Sequence, residues 1–75
     1  MERLGEVVRT AQGLLILRAA GEDAPDIGRT AVDESLNDVG RVVDVFGPVS
    51  RPYVAVSPDG DEPLATMLGE KLYAR

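Results

Sequence analysis

Acid, base and nucleophile chemistry finds few carriers in this chain, because its 75 residues include no histidine and no cysteine, the side chains best suited to proton transfer and covalent catalysis near neutral pH. Carboxylates and hydroxyls remain. Asp33, Glu34 and Asp44 are the acids set in apolar sequence, and a turn cap suits the first two, as a solvent-facing strand position suits Asp44, better than catalysis does. Asp59-Gly60-Asp61-Glu62 gathers oxygen ligands but lacks the twelve-residue spacing of a calcium loop, so it reads as a solvated turn. Gly40 and Gly47 flank a strand rather than opening a helix, which leaves no backbone cradle for phosphate. Phe46 and Tyr53 are seven positions apart, with no basic cluster around either in sequence. That argues against a platform for stacking bases and assigns Phe46 to the core. The expectation is a protein that is not an enzyme and carries no metal and no cofactor.

The residues offer a surface instead. In Phe46-Gly47-Pro48-Val49-Ser50-Arg51-Pro52-Tyr53 two prolines fix φ at both ends of a short connection. Apolar and aromatic side chains held on such a preorganised loop lose little entropy on docking, as a protein-protein hot spot requires. Gly47, Pro48, Val49, Pro52 and Tyr53 are therefore the candidate partner-binding residues, with Phe46 anchoring them from inside. On this reading Tyr53→Ala weakens partner binding about thirtyfold and leaves the fold intact, whereas Phe46→Ala removes about 3–5 kcal/mol of stability.

The elements that must position this loop are short strands. Residues 4–10 mix β-branched and polar types, Ala11-Gln12-Gly13 makes a break, and the run Leu14 to Arg18 follows as the second arm of a hairpin, apolar enough to be buried on both faces. Residues 20–26 form a polar, acidic loop containing Pro25. Residues 27–32 read as a strand, although Thr30-x-x-Asp33 also has the form of a capping box; a helix there would meet Asn37, Asp38 and Gly40 within two turns. A turn over 33–38 then leads to the strongest β signal, residues 39–46, ended by Gly47-Pro48. Residues 53–56 are the next strand, 64–68 a single helical turn closed by Gly69, and 71–74 the last strand. Six strands without alternating helices predict one domain over 1–75, an all-β, small antiparallel barrel.

Composition narrows the class further. The longest run of large aliphatics, Leu14 to Leu17, is far below the roughly 20 residues of a membrane-spanning helix, and Met1-Glu2-Arg3 begins no secretory signal, so an intracellular protein with no membrane partner is expected. Aromatics are limited to Phe46, Tyr53 and Tyr73, which leaves a core of Val, Leu, Ile and Ala. Thirteen acids against eight bases give a net charge of −5. That disfavours direct phosphate binding and suits either an ordinary acidic surface or one adapted to high salt. Arg41, Arg51 and Lys71 keep open a competing class, a free-standing RNA-binding barrel.

The stretch Val39-Gly40-Arg41-Val42-Val43-Asp44-Val45-Phe46-Gly47-Pro48-Val49-Ser50-Arg51-Pro52-Tyr53-Val54-Ala55-Val56 resembles the signature of the Gar family. The resemblance extends to Arg3-Leu4-Gly5, Val32-Asp33 and Gly69-Glu70-Lys71-Leu72-Tyr73. It implies a barrel of the translation-factor/reductase type, acting as a non-catalytic accessory subunit of an H/ACA guide ribonucleoprotein. Such a subunit docks on the catalytic subunit of the pseudouridine synthase and assists placement and release of substrate RNA, so that guide and substrate RNA are met indirectly through the complex. Eukaryotic members carry Gly-Arg-rich tails, and the sequence without them points to a cytoplasmic archaeal protein, with a halophile as one source. An assembly factor that shares the barrel is the nearest competitor within the resemblance.

Overall fold

A computed structural model describes residues 2–22, 24–60 and 63–75. Six strands, β1 (Glu2–Ala11), β2 (Leu14–Arg18), β3 (Thr30–Val32), β4 (Asp38–Phe46), β5 (Tyr53–Pro58) and β6 (Lys71–Ala74), are joined by turns and one short 3-10 helix, Leu64–Met67. Every neighbouring pair is antiparallel, and the order β1-β2-β5-β4-β3-β6 closes on itself. Closure removes the unpaired edges that an open sheet of this size would expose.

The first hairpin turns where the sequence breaks. Gln12 and Gly13 both take positive φ, +53° and +78°, between the paired residues Ala11 and Leu14; two such residues make the tight turn whose twist matches that of its strands. The turn after β3 is built by Asp33, whose Oδ1 accepts from the backbone N–H of Ser35 at 2.8 Å and of Asn37 at 3.0 Å. The expected cap is thus a turn cap and not the start of a helix. β3 is shorter than the sequence suggests. Gly28 at φ +97° and the bond from Arg29 N–H to the Asp26 carbonyl turn the chain just ahead of it, leaving Ile27 exposed.

Inside the barrel, Leu4, Val7, Leu15, Leu17, Ala19, Ala31, Val42, Val54, Val56, Leu72 and Ala74 form one buried cluster, with Val39, Val45, Leu64 and Met67 packed against it. Among the described residues no aromatic ring enters this cluster. Leu64 and Met67 come from the 3-10 helix, which packs on β1 and β2 and contributes two apolar side chains to the cluster. Ile16 and its partner Ala55 are buried but outside that cluster, so β2 is covered on both faces along its middle, as its unbroken apolar run implies. Across the β3-β6 seam, paired only at Ala31↔Ala74 and Val32↔Tyr73, Arg75 donates to the Leu36 carbonyl and to Asp38, and Arg29 meets Glu2. The two ion pairs are solvent-exposed and contribute little individually.

Candidate binding face on β2, β5 and β4

The side chains on the outside of the barrel line up across strands. One row runs Glu6, Arg18, Tyr53, Phe46 over β1, β2, β5 and β4, and the next runs Arg9, Ile16, Ala55, Asp44. In an antiparallel pair, directly opposed residues share a face and their side chains touch. Tyr53 accordingly stands between its two neighbours. The Arg18 guanidinium lies over its ring at 4.6 Å from the centroid and donates to its hydroxyl at 2.6 Å. The Phe46 ring is stacked on it at 5.6 Å with an interplanar angle of 21°. Arg9 approaches the same Tyr53 ring at 5.7 Å.

This corrects two expectations. Phe46 is not a core residue: it points out of the barrel and is 38% exposed, because the strand register places it opposite the outward Tyr53. An aromatic platform with basic neighbours does exist, since the fold brings together Phe46, Tyr53, Arg18 and Arg9, which are scattered over 45 positions of sequence, from Arg9 to Tyr53. Among the described residues neither arginine forms an ion pair. Among the described residues Arg18 Nε is buried without a hydrogen-bond partner, and the phenol, through its ring and hydroxyl, holds this guanidinium.

Because Phe46 lies on the surface, Phe46→Ala should cost far less than a core phenyl would. The loss is a stacked pair worth about 0.5–1.5 kcal/mol and some partial burial. A thermal melt should fall by only several degrees, about 4–8 °C per kcal/mol for a domain of this size. Loss of cooperative folding in that variant would return Phe46 to the core.

The five residues proposed from sequence divide by position. Val49 is at the loop tip and 90% exposed, beside exposed Pro48 and Gly47, in a turn closed by Arg51 N–H donating to the Pro48 carbonyl. Pro52 is buried, and its carbonyl accepts from Ala19 N–H at 2.9 Å, while Arg51 Nε donates to the Ala19 carbonyl at 3.1 Å. Tyr53 is half-buried in the column just described. Gly47 has φ +89°, and a Cβ there would come within 2.9 Å of the Tyr53 ring. The structure thus sets Gly47, Pro48 and Val49 outward and uses Pro52 and Tyr53 to fasten the loop to the end of β2. Sequence reasoning missed Arg9, Arg18 and the outward Phe46. The signal for them was the register and not composition.

Of the acids, Asp33 is spent on its turn, and Asp44 is exposed on the outer face, its Oδ1 accepting from the N–H of Val45. The acidic turn at 59–62 extends beyond the described residues. No helix of the described residues is long and apolar enough to cross a membrane.

Comparison with known proteins adds to this geometry. The Gar1/Naf1 RNA binding region family matches over residues 1–75. The H/ACA ribonucleoprotein complex subunit GAR1 of Encephalitozoon cuniculi is 28% identical over 71 residues, 95% of this chain and 38% of that protein. An uncharacterised protein of Methanocaldococcus jannaschii is 38% identical over 50 residues, 67% of this chain and 58% of its own length. The chain therefore spans about two fifths to three fifths of the relatives it matches.

Proposed function

The chain belongs to the Gar1/Naf1 RNA binding region family, and from that premise we propose that it is a non-catalytic subunit of an H/ACA ribonucleoprotein. In that role it binds the pseudouridine synthase catalytic subunit and assists substrate RNA placement and release in guided pseudouridylation of rRNA. The relative named as an H/ACA subunit supports the assignment. The same proposal places it in an archaeal cytoplasm.

The observation that carries the docking reading is Val49. A large apolar side chain left 90% exposed on a loop fastened by Pro52, Tyr53 and the two bonds to Ala19 is preorganised, so docking it orders little that was free. Pro48 and Gly47 extend the same contact. Val49→Asp should weaken synthase binding about thirtyfold or more, since it places a charge in a contact that excludes water. The melting temperature should hardly move, because surface changes remote from packing lie within about 0.5 kcal/mol. Titration calorimetry against the synthase, with a melt of the same sample, reads both. Normal synthase affinity in Val49→Asp would remove the loop tip from the interface. For the wider assignment, leaving this chain out of a reconstituted guided reaction should slow turnover; an unchanged rate and turnover would refute it.

A further inference from the structure

We infer that the outer face of the Phe46 ring is a stacking seat for one unpaired RNA base. The inference rests on the family reading above and adds to it a direct contact and the residues that make it. The geometry is a column of planar groups. Arg18, Tyr53 and Phe46 come from three successive strands, β2, β5 and β4, at 4.6 Å from guanidinium to ring centroid and 5.6 Å between ring centroids. On the far side of β4, pairing with β3 covers Asp38, Gly40 and Arg41, and the additional bonds from residues 28 and 29 reach only Val42. Among the described residues no strand flanks β4 at Phe46 on that side. The column therefore begins on a fixed cation and ends on an aromatic face that no strand covers.

A purine or pyrimidine is the planar group that such an end accepts. Stacking on an aromatic side chain is available to every base and needs no hydrogen-bond code, and single-stranded segments are where proteins find bases splayed out. The lower members are already immobilised. Tyr53 is held by Arg18 through its hydroxyl and ring, and its ring lies where a side chain at Gly47 would otherwise reach. Phe46 is backed by Tyr53, so a base would stack on a surface that has little freedom left to lose.

Charge sets the character of this binding. Arg9 and Arg18 are the cations at the column, on a chain of net charge −5, with Asp44 in the adjoining row. Counterion release is therefore limited to about two phosphates. Raising salt from 50 to 200 mM should weaken binding only about sevenfold, where a protein making 6–10 phosphate contacts loses several decades. The seat is a weak, salt-tolerant contact of the kind that can hold and release a strand within a larger assembly.

The test is an NMR titration of the full chain with the single-stranded tetranucleotides rA4 and rU4, and with an abasic ribose-phosphate oligomer of equal charge. Shifts centred on Phe46, Tyr53 and Arg18, larger for rA4 than for the abasic oligomer, and an affinity for rA4 lowered about tenfold in Phe46→Leu, are expected. The leucine keeps an apolar side chain and removes the π face, and a melt of the variant checks its fold. Equal binding by Phe46→Leu, shifts no larger with rA4 than with the abasic oligomer, or no shift at millimolar rA4 would overturn the seat. Titrating the synthase into the same variant separates the two readings. If Phe46→Leu loses the synthase but keeps rA4, the ring belongs to the protein interface and the inference fails. Loss of rA4 with the synthase retained supports the seat, whatever the fate of Val49→Asp.

Discussion

Gly40→Ala should unfold this barrel or come close to it. A Cβ at position 40 would lie 2.0 Å from the Ser57 carbonyl oxygen and 2.9 Å from Pro58 Cα. Both obstacles are backbone of the paired strand β5, so no rotamer change relieves the clash and the two strands must part. Parting them breaks ladder hydrogen bonds next to Val42 and Val56, paired core residues. Backbone displacement in a packed core costs about 1–3 kcal/mol from overpacking, and each stranded polar group adds about 1–3 kcal/mol. A total of at least about 3 kcal/mol is a large share of the roughly 4–11 kcal/mol expected for a chain of this size. Gly21→Ala is the control, because among the described residues a Cβ there meets nothing within 4 Å. Denaturant titration should show Gly21→Ala near the parent and Gly40→Ala with a much lower midpoint or no cooperative transition. An unshifted midpoint for Gly40→Ala would mean that β4 and β5 do not approach so closely.

Leu17→Ala is the second large effect. Leu17 is fully buried, pairs with Val7 on one side and Val54 on the other, and belongs to a cluster of buried Leu, Val and Ala side chains. Closed strands on both sides give the walls little freedom to collapse into the space left, and Leu→Ala at such sites costs about 2–5 kcal/mol. The melt should fall by about 8–40 °C. Ile16→Ala, one residue away but outside the interior cluster, should cost less. If it costs more, the main packing of β2 is on its outer face.

The contrast between Leu17 and Phe46 explains which parts of the structure were legible in the sequence. Strands β1, β2, β4, β5 and β6 coincide closely with the β-branched and aliphatic runs and with the Gly, Pro and Asp punctuation between them, because a strand of a small barrel needs only local propensity and a stop signal. The aliphatic core followed from the scarcity of aromatics. The facing of Phe46 did not follow, because it depends on one residue of register. Between Val42 and Asp44 the pairing with β5 slips, and the extra residue is Val43. Without that bulge, counting on from Val42↔Val56 would set Phe46 against Pro52; with it, Phe46 meets Tyr53. A one-residue slip sends every later side chain to the other face. A similar irregularity between Val7 and Arg9 in β1 sets Arg9 opposite Ile16 on the outer face. Two bulges thus assemble the cation and aromatic column, and neither leaves a signature in composition.

Glu2 pairs with Ala74, and Arg3 with Tyr73, so within this barrel β1 waits for β6. While the chain emerges from a ribosome, β1 can form its hairpin with β2 but keeps its other side bare until Lys71–Ala74 is free. β3, three residues long, lies between β4 and that same final strand. Folding by halves is thereby denied to this polypeptide. The closed form must appear after synthesis has passed its last strand, in a search dominated by distant pairings and on the milliseconds-to-seconds scale of such topologies. In that interval an unpartnered β1 edge is open to the wrong strand, including the β1 of another nascent chain.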